Sequence, residues 1–299
     1  MILFYGEGRL GNQIFQYQAL NSIARPGETI VAVGLEELQQ VFELHATRVV
    51  VIAGNLFIKR LFKFVINPLL LYPLSRGLRL VNYAEEPASG TGIRKGNSGE
   101  LRLYRGVFAS FTFVNGGYYQ NPSLWKAIFP AAALRLNSTL KDAALQYLDN
   151  NVPPQRTPIF VHIRRGDYLN FSSYGLNDLA LPETFYRNAL DHVVRRIPGA
   201  WFVFVTDDPR WVAEKFADVE DKCIASFNAR FDFSLMAMCR GGILSNSTYS
   251  LCAALMIGHP DLIIGPQYWF GFRINQWYPP RIEVAHKSMY YIPVLDTTV

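Results

Sequence analysis

The run Pro158-Ile159-Phe160-Val161-His162-Ile163, followed at once by Arg164-Arg165-Gly166-Asp167-Tyr168, decides how this chain folds. Its apolar residues do not alternate with polar ones, so a strand built from it is buried on both faces, and such strands belong to parallel sheets covered by helices. The chain downstream keeps that rhythm. Pro182 to Arg196 has helical spacing through Phe185, Ala189, Leu190, Val193 and Val194, and Trp201-Phe202-Val203-Phe204-Val205 is a second continuous apolar run. Arg210 to Phe216 reads as helix, Gly242-Ile243-Leu244 as strand, Ser250 to Gly258 as helix and Leu262-Ile263-Ile264 as strand. Strands alternating with helices make this half a Rossmann-like α/β domain. Upstream, Asn150-Asn151-Val152-Pro153-Pro154-Gln155 separates a helical pattern from the first strand and reads as a linker, dividing the chain into residues 1–150 and 151–299.

The first half starts in the same way. Ile2 to Tyr5 reads as a strand, Gly6-Glu7-Gly8-Arg9-Leu10-Gly11 as a glycine turn, and Asn12 to Ala24 as a helix. Such a unit either presents backbone N–H groups to an anion or is simply a tight strand-to-helix turn. Glu85 to Gly99, rich in Gly, Ser, Glu and Pro, reads as an exposed loop. The most apolar region, Leu56 to Leu80, is interrupted by Lys59, Arg60, Lys63, Pro68, Pro73 and Arg76, which excludes a membrane-spanning helix. Two readings remain there: an interfacial stretch making peripheral membrane contact through 56–80, or a partly buried helical hairpin.

Half of the 299 residues are hydrophobic, enough for one large or two medium cores, which excludes disorder. The net charge of +5 comes from 29 Lys and Arg against 24 Asp and Glu, dispersed along the chain. That suits a small anionic ligand and is not the footprint of nucleic-acid binding. Cys223, Cys239 and Cys252 are widely spaced in apolar surroundings and read as core residues. The first residues lack the order of a signal peptide, so the expected location is cytoplasmic or peripheral to the cytoplasmic membrane, a Golgi-lumenal protein missing its anchor being the alternative.

Ligands of open α/β sheets bind at the carboxyl ends of the strands. There the sequence places His162 with Arg164 to Tyr168, then Thr206-Asp207-Asp208-Pro209, then Ser245-Asn246-Ser247-Thr248-Tyr249-Ser250 opening a helix. Arginine pairs with phosphate through a planar fork, and hydroxyls at a helix N-terminus add N–H donors and the positive end of the dipole. Together they form a candidate pyrophosphate clamp. The structural alternatives are a helix cap for Ser247 or Thr248, an Arg165–Asp167 ion pair, and a core role for His162.

His162-Ile163-Arg164-Arg165-Gly166-Asp167 resembles the His-x-Arg-Arg-x-Asp signature of the α-1,2-fucosyltransferases, glycosyltransferase family 11. Gly8-Arg9-Leu10-Gly11-Asn12-Gln13-Ile14-Phe15-Gln16-Tyr17, Gly117-Tyr118-Tyr119-Gln120-Asn121, Thr206-Asp207-Asp208 and Asp232-Phe233-Ser234-Leu235-Met236 with Ser245 to Ser250 are similar to further blocks of that family, in order. Leu251-Cys252 departs from its Trp-Trp pair, and Arg9 from a small or apolar residue. The resemblance implies a B-type glycosyltransferase-like α/β fold, with two Rossmann-like domains facing a cleft, residues 1–150 on the acceptor side and 151–299 on the GDP-fucose side. It also implies inverting transfer of L-fucose from GDP-β-L-fucose to the 2-hydroxyl of a terminal β-galactoside.

Arg164 is then the expected catalytic cation and Asp167 a candidate base, weakened as a base if it pairs with Arg164, with Asp178 and Glu183 as alternatives. His162, Arg165, Asp207, Asp232, Asn246, Ser247 and Thr248 are expected at the donor, as are Gly8, Arg9, Gly11, Asn12 and Gln13. No metal or other cofactor is expected, since no Asp-x-Asp or His cluster accompanies them. Other linkages, or a non-catalytic nucleotide-sugar or glycan-binding module, are the rival readings; Arg165-Gly166-Asp167 as an adhesion tripeptide is disfavoured because it follows a buried strand.

Overall fold

The computed structural model describes residues 1–44, 48–52, 56–89, 96–121, 134–173, 176–279, 282 and 289–295. Its contacts divide into two units, Met1–Arg135 with Pro280–Ile282, and Leu136–Pro279 with Glu283–Val299. The first contains β1 (Ile2–Tyr5), α1 (Leu10–Ile23), β2 (Thr29–Val33), β3 (Arg48–Ile52), β4 (Val81–Glu85), β5 (Arg102–Tyr104) and β6 (Phe108–Val114). They form a six-stranded sheet in the order β3-β2-β1-β6-β4-β5, parallel except for β5 at the edge. The turn from β1 to α1 needs Gly8: its φ is +87°, and a Cβ there would stand 2.5 Å from the Asn12 amide nitrogen.

The apolar region before β4 is one unbroken helical run and not a hairpin. Leu56–Leu61 is α-helical, whereas Phe62–Leu71 and Pro73–Gly77 are π-helical, with bonds to the fifth residue back such as Tyr72 N–H to the Asn67 carbonyl. Pro68 and Pro73 have no N–H to contribute to a regular ladder, and the wider winding accommodates them. Phe62 and Leu71 bury against Val33, Tyr83 and Phe113, and Phe62 stacks on Tyr5 at 5.3 Å. The side chains of Lys59 and Lys63 and residues 90–95 of the Gly/Ser-rich segment lie outside the described residues; within that segment Ala88–Ser89 pairs with Gly96–Asn97.

The second unit begins with α2 (Ser138–Asn151), capped by the Asn137 side chain. It continues through β7 (Thr157–Ile163), α3 (Glu183–Arg196), β8 (Ala200–Thr206), α4 (Pro209–Lys215), β9 (Lys222–Ala225), α5 (Ala229–Ala237), β10 (Gly241–Ile243), α6 (Thr248–Met256), β11 (Ile263–Pro266) and β12 (Met289–Ile292). The strand order is β9-β8-β7-β10-β11-β12, all parallel. Numbered within the unit this is 3-2-1-4-5-6, the doubly wound order whose direction reverses between its first and fourth strands. The quoted run is therefore the central strand, buried on both faces as its composition requires.

Phe185, Tyr186, Ala189, Leu190 and Val193 turn one stripe of α3 onto this sheet, beside Phe204 and Phe216. Each large side chain so buried contributes about 1.5–3 kcal/mol. Gly242 is dictated by packing, since a Cβ would lie 2.1 Å from the Phe160 ring on the neighbouring strand. Cys239 and Cys252 are buried, and burial pushes both thiols up, as small core residues should be.

Candidate active site

At the reversal point of the second sheet, the carboxyl ends of β7 and β10 lie side by side. A hydrogen bond joins them: His162 Nδ1 lies 2.7 Å from Ser245 Oγ, and both residues are buried. Burial pushes the imidazole down to about 3, and the Arg164 charge pushes in the same direction, so His162 is neutral at physiological pH. Its ring also lies 5.4 Å from that of Tyr249.

Arg164 follows at the strand terminus. Its Nε and Nη2 donate to Asp167 Oδ1 and Oδ2, both at 2.9 Å, and its guanidinium lies 5.2 Å over the Tyr168 ring. Burial opposes its charge, but the bonded Asp167, with Tyr168 and Asp207 nearby, overcomes that and raises its pKa. The Tyr168 hydroxyl in turn donates to the Asn246 carbonyl at 3.5 Å, on the turn that opens α6. Burial raises that phenol to about 12, so it stays protonated. Tyr168 thus links the guanidinium to the Asn246–Ser247 turn. In the sequence, its place directly after Asp167 is the one signal of this role.

Ser247 caps α6, its Oγ accepting from Tyr249 N at 3.3 Å, so the cap reading holds for that hydroxyl. Thr248 is the first residue of the helix and half-buried. Asn246 is fully buried; its amide donates to the Leu179 carbonyl at 2.8 Å, and its Oδ1 has no partner among the described residues.

Arg165 points elsewhere. Its Nε donates to Asp208 at 3.2 Å and its guanidinium packs 4.1 Å over Trp211, while Asp208 caps α4. Asp207 accepts from the Arg165 backbone N–H at 2.8 Å, tying the β7 and β8 ends together. The Arg165-Gly166-Asp167 tripeptide is accordingly built into the strand ends. Asp232, on α5, has both oxygens facing the Phe227 N–H at 3.2 and 3.3 Å, yet burial lifts its carboxyl to about 6. The alternative bases are both paired: Asp178 with Arg273 at 2.9 Å and Glu183 with Arg187 at 3.1 Å.

The remaining expected residues lie in the first unit. Arg9 Nε and the Leu10 N–H both donate to the Glu37 carboxylate, at 2.8 and 2.9 Å, so α1 carries a resident anion at its N-terminus. Gln13 is buried, donating to the Gly8 carbonyl and accepting from Leu38 N–H; Asn12 Oδ1 accepts from Gln120 at 2.8 Å. These groups hold the glycine turn in shape, and Gly11 sits in the first turn of the helix beside them. Among the described residues no three His, Cys, Asp or Glu side chains gather as metal ligands, and no helix is long and apolar enough to cross a membrane.

Comparison with known proteins adds a family. The model of the family described as Glycosyl transferase family 11 matches residues 104–270, more than half of the chain. The curated protein O-antigen biosynthesis glycosyltransferase WbnK of Escherichia coli is 28% identical over 116 residues, 37% of this chain and 38% of that protein. The chain thus spans well under half the length of that curated relative. Among solved structures, POFUT1 in complex with GDP has a TM-score of 0.50 at 12% identity, covering 88% of this chain and 97% of that one. The fucosyltransferase NodZ from Bradyrhizobium has a TM-score of 0.47 at 12% identity, with 86% and 92% covered. The fold is of the B-type glycosyltransferase class, α/β with two Rossmann-like units.

Proposed function

This chain belongs to glycosyl transferase family 11, and from that premise we propose that it transfers L-fucose from GDP-β-L-fucose to the 2-hydroxyl of a terminal β-galactoside, with inversion. The observation that carries the reading is the Arg164 fork, held over Tyr168 and thereby beside the Asn246–Ser247 turn that opens α6. A cation and a helix N-terminus meet there at the switch point of a doubly wound sheet, the combination that suits a diphosphate. POFUT1, which shares the fold, is seen with GDP.

In the reaction the acceptor hydroxyl oxygen attacks C1 of fucose while the bond from C1 to the phosphate oxygen breaks, and both electrons of that bond leave with GDP. Charge therefore grows on the diphosphate, and a fixed guanidinium that meets it more strongly in the transition state lowers the barrier. Arg164 fills that role, and Asp167 orients its fork. The Asp232 carboxylate accepts from the guanine ring N–H and amine. His162, neutral and tied to Ser245, contacts the nucleotide or steadies Arg164 two residues along the chain. With the leaving charge met by arginine and a helix terminus, the reaction needs no divalent cation. The acceptor proton leaves to water, because the pairing with Arg164 makes Asp167 a weak base.

The test is GDP release from GDP-fucose with lactose or N-acetyllactosamine in the presence of EDTA, with the product linkage read by NMR. Release with an α-1,2 product supports the proposal. Release with another linkage, or activity abolished by EDTA and restored by a metal, overturns the acceptor or the metal-free part. GDP binding without release on any galactoside points to a binding module.

A further inference from the structure

A basic cavity in the first unit takes no part in the site above. It encloses about 660 Å³ between Tyr72, Ser75, Arg76, Arg79, Tyr104 and Arg105. Arg76 is fixed in its wall, 4.8 Å over the Tyr104 ring, 5.4 Å over Tyr83 and 3.6 Å from Glu85. Arg79 and Arg105 are exposed and form no ion pair among the described residues. The backbone that carries them is held: Val107 N–H donates to the Arg79 carbonyl at 3.0 Å and Phe108 N–H to the Leu80 carbonyl at 2.7 Å. Three guanidinium groups thus share one cavity, and among the described residues the one carboxylate that pairs with any of them is Glu85. Such a cavity calls for an anion with several oxygens, and phosphate is the group that arginine forks fit.

The surroundings say where that phosphate comes from. Leu78, Val107 and Phe108 beside the cavity, and Phe64 and Leu69 along the helical run that leads into it, are each more than half exposed. An apolar patch of this kind is unusual on a surface that meets only water. Exposed apolar side chains, the exposed Tyr72 and Tyr104 and three arginines on this stretch supply the partners of the three zones of a bilayer surface: acyl boundary, interface and phosphate. We infer that this face docks on a bilayer containing anionic phospholipid, with a headgroup phosphate entering the cavity between Arg76, Arg79 and Arg105. The inference is independent of which sugar the enzyme transfers.

The test is sedimentation of the full chain with neutral phosphatidylcholine vesicles and with vesicles that also contain phosphatidylglycerol, without nucleotide or acceptor. Two double variants accompany it. Arg79→Asn with Arg105→Gln removes two charges, Asn being tolerated at the positive φ of residue 79; Phe64→Ser with Leu69→Ser removes apolar contact. A basic residue near an anionic leaflet contributes about a five-fold factor, so the charge variant should bind roughly thirty-fold more weakly to the anionic vesicles. Both variants should keep wild-type turnover on soluble acceptor, which also reports that they fold. Failure to bind anionic vesicles, equal binding to neutral ones, or binding unmoved by the charge variant overturns the inference. So does calorimetric binding of inorganic phosphate that is lost in Arg79→Asn/Arg105→Gln while vesicles fail to bind, since the cavity would then serve a soluble anion.

Discussion

Replacing Arg164 by alanine separates catalysis from stability because the two costs differ in size. The Arg164–Asp167 pair has its partners 30% and 61% exposed, so after solvent screening it contributes about 0.2–1 kcal/mol to folding. The contact over Tyr168 adds about 0.5–1 kcal/mol. Their combined loss, about 1–2 kcal/mol, is small against the roughly 5–15 kcal/mol that holds a domain folded, and should lower Tm by only several degrees. A preorganised donor meeting charge that develops in the transition state is worth about 2.7–4 kcal/mol, so kcat should fall about 10²–10³-fold. Arg164→Lys, which keeps the charge without the fork, should lie between. The assay is GDP release at saturating GDP-fucose, with a thermal melt and calorimetric GDP binding on the same samples. If Arg164→Ala keeps more than a tenth of kcat, or loses only GDP affinity with kcat unchanged, the guanidinium binds ground and transition states alike and the reasoning fails.

Because burial holds the Asp232 carboxyl at about 6, GDP should bind more tightly as pH rises through that value, with affinity falling toward tenfold per pH unit below it; Asp232→Asn should bind weakly without this dependence, and parallel curves for the two proteins would remove Asp232 from guanine. His162 has its folded pKa, about 3, below the unfolded value of about 6.5, so the unfolded state takes up the extra proton between them. Its contribution to stability is therefore complete above about pH 6.5 and declines by about 1.4 kcal/mol per pH unit toward pH 3; urea melts of His162→Gln should show a correspondingly flatter slope, and an unchanged slope refutes it. Asp167→Asn should cut kcat by misdirecting Arg164 while leaving the acid limb of the pH–rate profile in place; disappearance of that limb would instead identify Asp167 as the base. Gly8→Ala, placing a Cβ 2.5 Å from Asn12 at a φ of +87°, should destabilise the chain by more than about 1 kcal/mol in a denaturant melt, and a neutral result would mean the turn relaxes.

The second unit was legible because its elements are punctuated: the apolar runs at β7, β8 and β10 stop at polar clusters, and those clusters lie where the strands end. What the sequence hid there were β9, α5 and β12. Lys222-Cys223-Ile224-Ala225 is too short and mixed to stand out, and α5 is recognisable mainly by the Asp232 block. In the first unit only β1 and α1 were readable. The region from Leu56 onward resisted because its winding is largely π-helical, so its apolar residues follow no 3.6-residue stripe, and the helical hairpin that was one reading of it is a continuous run. At the site, the motif pointed to Arg164 but not to the partition of its neighbours. Arg164 and Arg165 are adjacent in the chain, yet one caps a Tyr168 ring at the strand end and the other is anchored on Trp211, a distinction set by side-chain direction that spacing alone does not carry.

The bond between His162 and Ser245 has a consequence for how a ligand is sorted once inside. Because that imidazole is uncharged at physiological pH, the buried end of β7 carries no positive charge, and the first full charge along the chain stands on the more exposed Arg164. A diphosphate of the kind proposed would meet charge at Arg164, whereas whatever reached the His162–Ser245 bond would be selected there by fit.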